Sequence, residues 1–237
     1  MAGPDPTDPW SPAHAAPPPL PDHPRIGVPA QWISSAPLTA DVRTAFLRAL
    51  GDLSDRGFEV VDLHAPTLEP WGALNDLMGA QVARVHRAWM ADPTKAYGPE
   101  VEERLRLVLD VDADRLVDAL QWQSSLIAAT SRALTDVDLI ATPAVAANRK
   151  VIGEPLLETE SGDTPYRAAL AWFSALVNHM RAPAVALPLA HGTGLPHSLQ
   201  LIAPWGAEQH LLDIAEGLEA AGVVGFRPPP DRSASGS

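Results

Sequence analysis

Four histidines, His179, His191, His197 and His210, surround Ser198 in the last part of the chain, and a hydroxyl near imidazoles is the raw material of nucleophilic catalysis. A serine nucleophile of that kind sits on a strained strand-to-helix elbow, and its histidine needs an acid to orient it. The spacing around Ser198 indicates neither, so no triad is assigned. The other available base is lysine, and the chain has only Lys95 and Lys150. Its adjacent serines, Ser34-Ser35 and Ser124-Ser125, have no flanking glycine whose backbone could approach a developing oxyanion. Asp110-Val111-Asp112-Ala113-Asp114 opens like a calcium loop. Arg115, however, stands where glycine must make the turn, and Gln121 where a bidentate glutamate is needed, so the run reads as an acidic helix start. Gly192-Thr193-Gly194 lacks the third glycine, the lysine and the immediate helix of a phosphate cradle and reads as a tight loop. His64 and His86 have no partners at zinc-site spacing. Trp71, Trp89, Trp122 and Trp172 fall on helical segments and read as core. No catalytic residue, metal ligand or cofactor is assigned.

The elements that would carry such groups follow from periodicity. Thr39 to Arg56 repeats apolar residues at Val42, Phe46, Ala49, Leu50 and Leu53, the spacing of an amphipathic helix, with Thr39 as cap and Gly57 as stop. Arg25 to Val28 before it and Phe58 to Leu63 after it read as strands, and a β-α-β crossover implies that they are parallel. Glu69 to Met90, Pro99 to Leu109 and Ala113 to Leu134 read as helices, and Val137 to Ile140 as a buried strand ending in Thr142-Pro143. A helix is expected from Thr164 as N-cap and Pro165 at its first position. Two Pro-bounded apolar runs, Ala184 to Leu187 and Ser198 to Ile202, are strand-length, and Ala207 to Ala221 is the last helix. Five strands among helices predict an α/β fold with one mixed sheet covered by helices on both faces.

Composition removes several function classes. A net charge of −12 with scattered basic residues excludes a nucleic-acid or anionic-membrane surface, since both require clustered Lys and Arg. With no cysteine there is neither disulfide nor thiol chemistry. No signal peptide and no membrane-length apolar run are read, so a cytoplasmic location is expected. Residues 1–24 are too proline-rich for helix or sheet and read as an extended segment, 25–224 as the folded part, and 225–237 as a disordered Pro/Ser/Gly tail.

One set of motifs resembles a known family. Asn178, Pro183-Ala184, Pro188, Gly194-Leu195-Pro196, Leu199-Gln200-Leu201-Ile202 and Glu208 stand in the order found in the C-terminal half of amidase-signature hydrolases, with Ser198 where that family more often has glycine. Gly3-Pro4-Asp5-Pro6-Thr7-Asp8-Pro9, Arg25-Ile26-Gly27-Val28-Pro29, Tyr97-Gly98 with Arg104, and Asp138-Leu139-Ile140-Ala141-Thr142-Pro143 extend the match from about Gly3 to Val223. The resemblance places Met1 inside the family's domain. It implies a partial amidase-signature fold and amide hydrolysis by a Ser-Ser-Lys set whose members lie upstream of the matched region. The nucleophile is therefore expected to be absent from this chain.

Three readings stay open at this point. The chain is the C-terminal portion of an amide hydrolase, supplying sheet strands and substrate-pocket wall, with its start assigned too late or its gene broken. Or it is an inactive binding module or one half of a split amidase, with a small-molecule amide or an N-terminal half as partner. Or it is an unrelated α/β protein with accidental matches.

Overall fold

The computed structural model describes residue 7 and residues 17–65, 72–109, 111–191 and 194–228. Most of the proline-rich segment, Trp71, Asp110, Gly192-Thr193 and residues 229–237 lie outside the described residues.

Five strands form one sheet: β1 (Arg25–Val28), β2 (Glu59–Asp62), β3 (Leu139–Pro143), β6 (Ala184–Pro188) and β7 (Ser198–Ile202), in the order β2-β1-β3-β7-β6. β1 runs parallel to both β2 and β3, as the crossover through α2 (Ala40–Asp55) requires, whereas β7 is antiparallel to β3 and to β6. The five sequence-predicted strands thus share one mixed sheet. β3 lies at its centre and is buried throughout, with Ile140 and Ala141 both fully covered. Successive strand residues point to opposite faces, so burial of both means that helices cover both sides. The one polar step here is the cross-strand pair Thr142 and Gln200, where Gln200 Nε2 donates to Thr142 Oγ1 at 2.9 Å. Each group would cost about 1–3 kcal/mol if buried unpaired, so the pair fixes the β3–β7 register.

α2 buries Val42, Phe46, Ala49 and Leu53 against the sheet, and Gly57, at φ +90, turns the chain into β2. Thr39 is its N-cap residue but makes no side-chain cap bond. α3 (Gly72–Met90), α4 (Pro99–Val108) and α5 (Ala113–Asp136) follow. Gly98 caps α4 with Pro99 in its first turn, and Asp112 caps α5 by accepting from the Arg115 backbone N–H at 2.8 Å. The acidic run is therefore a helix start, as its charge pattern predicts.

Two features differ from the sequence expectation. Thr164 is not a helix cap. It belongs to β5 (Gly162–Pro165), which pairs with β4 (Leu156–Thr159) as a hairpin, and α6 (Tyr166–Met180) begins only after Pro165. Arg43 Nε meets Glu160 Oε2 at 2.6 Å and ties this hairpin to α2, a half-exposed ion pair worth about 0–1 kcal/mol. Second, Ala30–Ser35 forms a short helix, α1, which places Trp32 in the core 5.3 Å from Phe173 of α6. Trp122 and Trp172 pack partly against the core, but Trp89 is exposed, its ring under the Lys95 ammonium.

Gly27 of β1 marks a close approach, for an added Cβ would lie 3.0 Å from both Leu63 Cβ and Val137 Cγ2. Neither neighbour is the free end of a long side chain. Gly27→Ala is expected to lower unfolding stability by about 1–3 kcal/mol, measured as a shift in the urea midpoint at constant slope. An unchanged midpoint would show that β1 can move.

Candidate functional site

The loop between β6 and β7 folds back on α2, and its described residues bring two histidines onto that helix. His197 Nε2 lies 3.2 Å from Asp41 Oδ2. His191 Nε2 lies 3.2 Å from Asp52 Oδ2, an ion-pair distance without hydrogen-bond alignment, for that buried oxygen has no hydrogen-bond partner among the described residues. Asp41 and Asp52 are eleven residues apart, about three helical turns, so both project from one stripe of α2, with Thr44, Ala45 and Arg48 between them. Leu189 and this stripe enclose a groove of about 400 Å³ with an alanine-rich floor.

The sequence shows no acid for these histidines, and the fold supplies two. The |i−j| of 156 between Asp41 and His197 puts that pairing beyond any local pattern. The usable signal was the eleven-residue spacing of the aspartates on a predicted helix. The dyads do not activate Ser198, because it follows His197 directly in an extended chain and so faces the other side of the sheet. His179 and His210 are elsewhere. His179 packs edge-on against Trp122 with Gln123 beside it, and His210 sits on α7 (Glu208–Ala220). His86 Nδ1 is within hydrogen-bond distance of the Tyr97 hydroxyl, 2.8 Å away. No group of His, Asp or Glu that could hold a metal occurs among the described residues.

Asp41 in the groove and His179 outside it each make stability depend on pH. Partial burial alone would raise the Asp41 carboxyl, but the adjoining Thr39 hydroxyl, His197 and the Val42 backbone N–H outweigh it and hold the group below the ordinary aspartate value. Desolvation holds the His179 imidazole below the ordinary histidine value. Both folded-state values are depressed, so each contribution is complete above the unfolded value and is lost as pH falls. Thermal melts are expected to drop below about pH 6.5 and again below about pH 4, the first step shrinking in a His179→Gln variant. A flat profile between pH 7 and 5 would contradict the desolvation of His179.

A family model for amidases matches residues 1–212. The chain belongs to the amidase family. Its fold agrees with solved amidase-family structures. It is 27% identical to a protein described as an amidase, covering 89% of this chain and 48% of that one with a TM-score of 0.78. A structure reported as "an unexpected vestigial protein complex" that reveals the origins of an s-triazine catabolic enzyme gives 23% identity, 96% and 51% coverage and a TM-score of 0.81. A 6-aminohexanoate cyclic dimer hydrolase gives 21% identity, 93% and 50% coverage and a TM-score of 0.74. No curated protein matches the sequence. The chain thus spans about half the length of the amidase-family structures it matches.

Against the amidase Ser-Ser-Lys set, the local chemistry of this chain is specific. Ser34 and Ser35 lie on α1, and both hydroxyls donate to the Gln31 carbonyl, at 3.0 and 2.9 Å. Ser124 Oγ donates to the Leu120 carbonyl within α5 at 2.9 Å. Lys95 Nζ lies 5.4 Å over the Trp89 ring and Lys150 Nζ 5.0 Å over Tyr166. No lysine is within hydrogen-bond reach of a serine hydroxyl among the described residues. The amidase motif positions divide in two: Leu139 to Pro143 and Leu199 to Ile202 are buried in the sheet, whereas Asn178, Ala184, Pro188 and Gly194-Leu195-Pro196 are open to solvent.

Proposed function

We propose that this chain is the C-terminal portion of an amide hydrolase of the Ser-Ser-Lys type, supplying sheet strands and substrate-pocket wall to a nucleophile and base carried by residues it does not contain. The observation that carries this reading is the pairing of an amidase fold with two lysines held over aromatic rings and away from the Ser34, Ser35 and Ser124 hydroxyls, which bond to helix carbonyls. Acyl transfer requires a hydroxyl, its base and oxyanion donors held together, each within about 3 Å of the reacting atoms. The exposed amidase motif residues support the second half of the proposal. Loop residues Gly194-Leu195-Pro196 are exposed in this chain, as a wall would be whose volume is completed by another segment. The bound molecule would be a small amide.

The test is reconstitution. Co-expression with the unmatched part of the 27%-identical amidase is expected to give hydrolysis of simple amides that depends on both parts. A complex of the two that forms and stays inactive on a broad amide panel would overturn the proposal.

A further inference from the structure

Helix α2 and its C-cap carry three arginines, and two of them are engaged. Arg43 Nε meets Glu160 Oε2 at 2.6 Å, and Arg56 Nη2 donates to the Ala221 carbonyl at 3.1 Å. Arg48 makes neither an ion pair nor a hydrogen bond through its side chain among the described residues. The helix offers it a partner, since Asp52 stands four residues on, the spacing at which opposite charges meet along a helix face. Asp52 turns instead toward the β6–β7 loop, where its Oδ2 lies 3.2 Å from His191 Nε2. Asp41, seven residues before Arg48 and so on the same face, is likewise turned to His197.

The result is an unpaired cation beside an apolar hollow. Arg48 is exposed and lines the groove of about 400 Å³ whose floor is Ala40, Ala45, Ala49 and Leu189. Sites that take small molecules have this composition, mostly apolar with a few polar groups that fix orientation. The two carboxylates that would repel an anion each face an imidazole at 3.2 Å, whereas a guanidinium presents a fork of donors that matches a carboxylate. An inorganic anion would leave the alanine floor wet, and a neutral apolar molecule would leave the guanidinium without a counter-charge. A ligand with both parts uses both features.

We infer that this groove binds a small carboxylate with an apolar body, the carboxylate on Arg48 and the hydrocarbon against Ala45, Ala49 and Leu189. Every group of the site belongs to this chain, and binding there needs neither a nucleophile nor a second half of the domain.

The test is titration calorimetry of hydrocinnamate into the monomer fraction of the full chain near neutral pH, with backbone amide shifts to place the ligand. Saturable binding is expected, with shifts at Ala45, Arg48 and Leu189. Hydrocinnamyl alcohol, which keeps the body and loses the charge, and acetate, which keeps the charge and loses the body, are each expected to bind about tenfold more weakly. Arg48→Gln, at an exposed position, should weaken hydrocinnamate about tenfold and leave both the alcohol and the melt unchanged. Arg48→Lys keeps the charge without the fork and should cost about threefold. Thr44→Trp, which lays an indole over the floor from an exposed position, should weaken acid and alcohol alike. The assignment is overturned if acid and alcohol bind equally, if Arg48→Gln binds the acid like the unsubstituted chain, if Thr44→Trp changes neither, if the shifts fall elsewhere, or if no saturation is reached by about 10 mM.

Discussion

Purified alone, the 237-residue chain is expected to release ammonia from simple amides no faster than buffer does. Enzymes accelerate such reactions by at least about 10⁶-fold, so the difference between a complete site and none is large enough to be unambiguous. Five side-chain environments support this. The Ser34, Ser35 and Ser124 hydroxyls donate to carbonyls of their own helices, and both lysines lie over aromatic rings on the surface. A serine so engaged can turn to another acceptor, but no base stands near enough to take its proton. The Asp41–His197 pair could accept a proton, yet among the described residues no serine hydroxyl bonds to it. Should hydrolysis be seen, the controls are Lys95→Ala, Lys150→Ala and Ser198→Ala. Activity that survives the first two and vanishes with the third would locate a site on β7 and defeat the present reading.

The second large effect is on solubility. The chain has one well-packed core, but Trp205, Leu212, Phe226 and Leu195 are more than half exposed, and β6 adds an uncharged open edge. At ~25 cal/mol per Å², leaving a few hundred Å² of apolar surface wet forgoes several kcal/mol. Whole-domain stability is only about 5–15 kcal/mol. The isolated chain is expected to elute partly as aggregate and to melt broadly, and an N-terminal amidase half carrying the Ser-Ser-Lys set is expected to sharpen both profiles. Size-exclusion chromatography paired with a thermal melt, with and without that half, reads this directly. A monodisperse monomer with one steep transition would mean that the core closes unaided and would favour a free-standing binding module.

Which parts were legible in the sequence follows from the range of the forces that make them. The strand Ser198–Ile202 and the helix Ala40–Asp55 announce themselves because their apolar period is local and unbroken. The β4–β5 hairpin did not, because Thr164-Pro165 satisfies a helix start and a strand end equally well, and Gly162 at φ +95 is what decides between them. α1 is six residues long, too short to display a period, and its Trp32 is fixed by a partner on α6. The dyads of the groove escaped for the same reason. Each joins α2 to a loop near the other end of the chain, and nothing in either segment names its counterpart.

The strand order also sets a clock. β1 lies between β2 and β3, and Ile26 pairs with Leu139, which is synthesised 139 − 26 = 113 residues later. At about 5–20 residues per second, the β1-α2-β2 unit, complete at Asp62, waits roughly 4–15 s on the ribosome for its central neighbour, with the apolar side of α2 not yet fully covered. β3 in turn waits for β7, to which it is joined antiparallel from Ile140 to Pro143. The sheet is therefore completed last at its C-terminal strands, and slower synthesis lengthens the interval in which Val42, Phe46 and Leu53 lack their full cover.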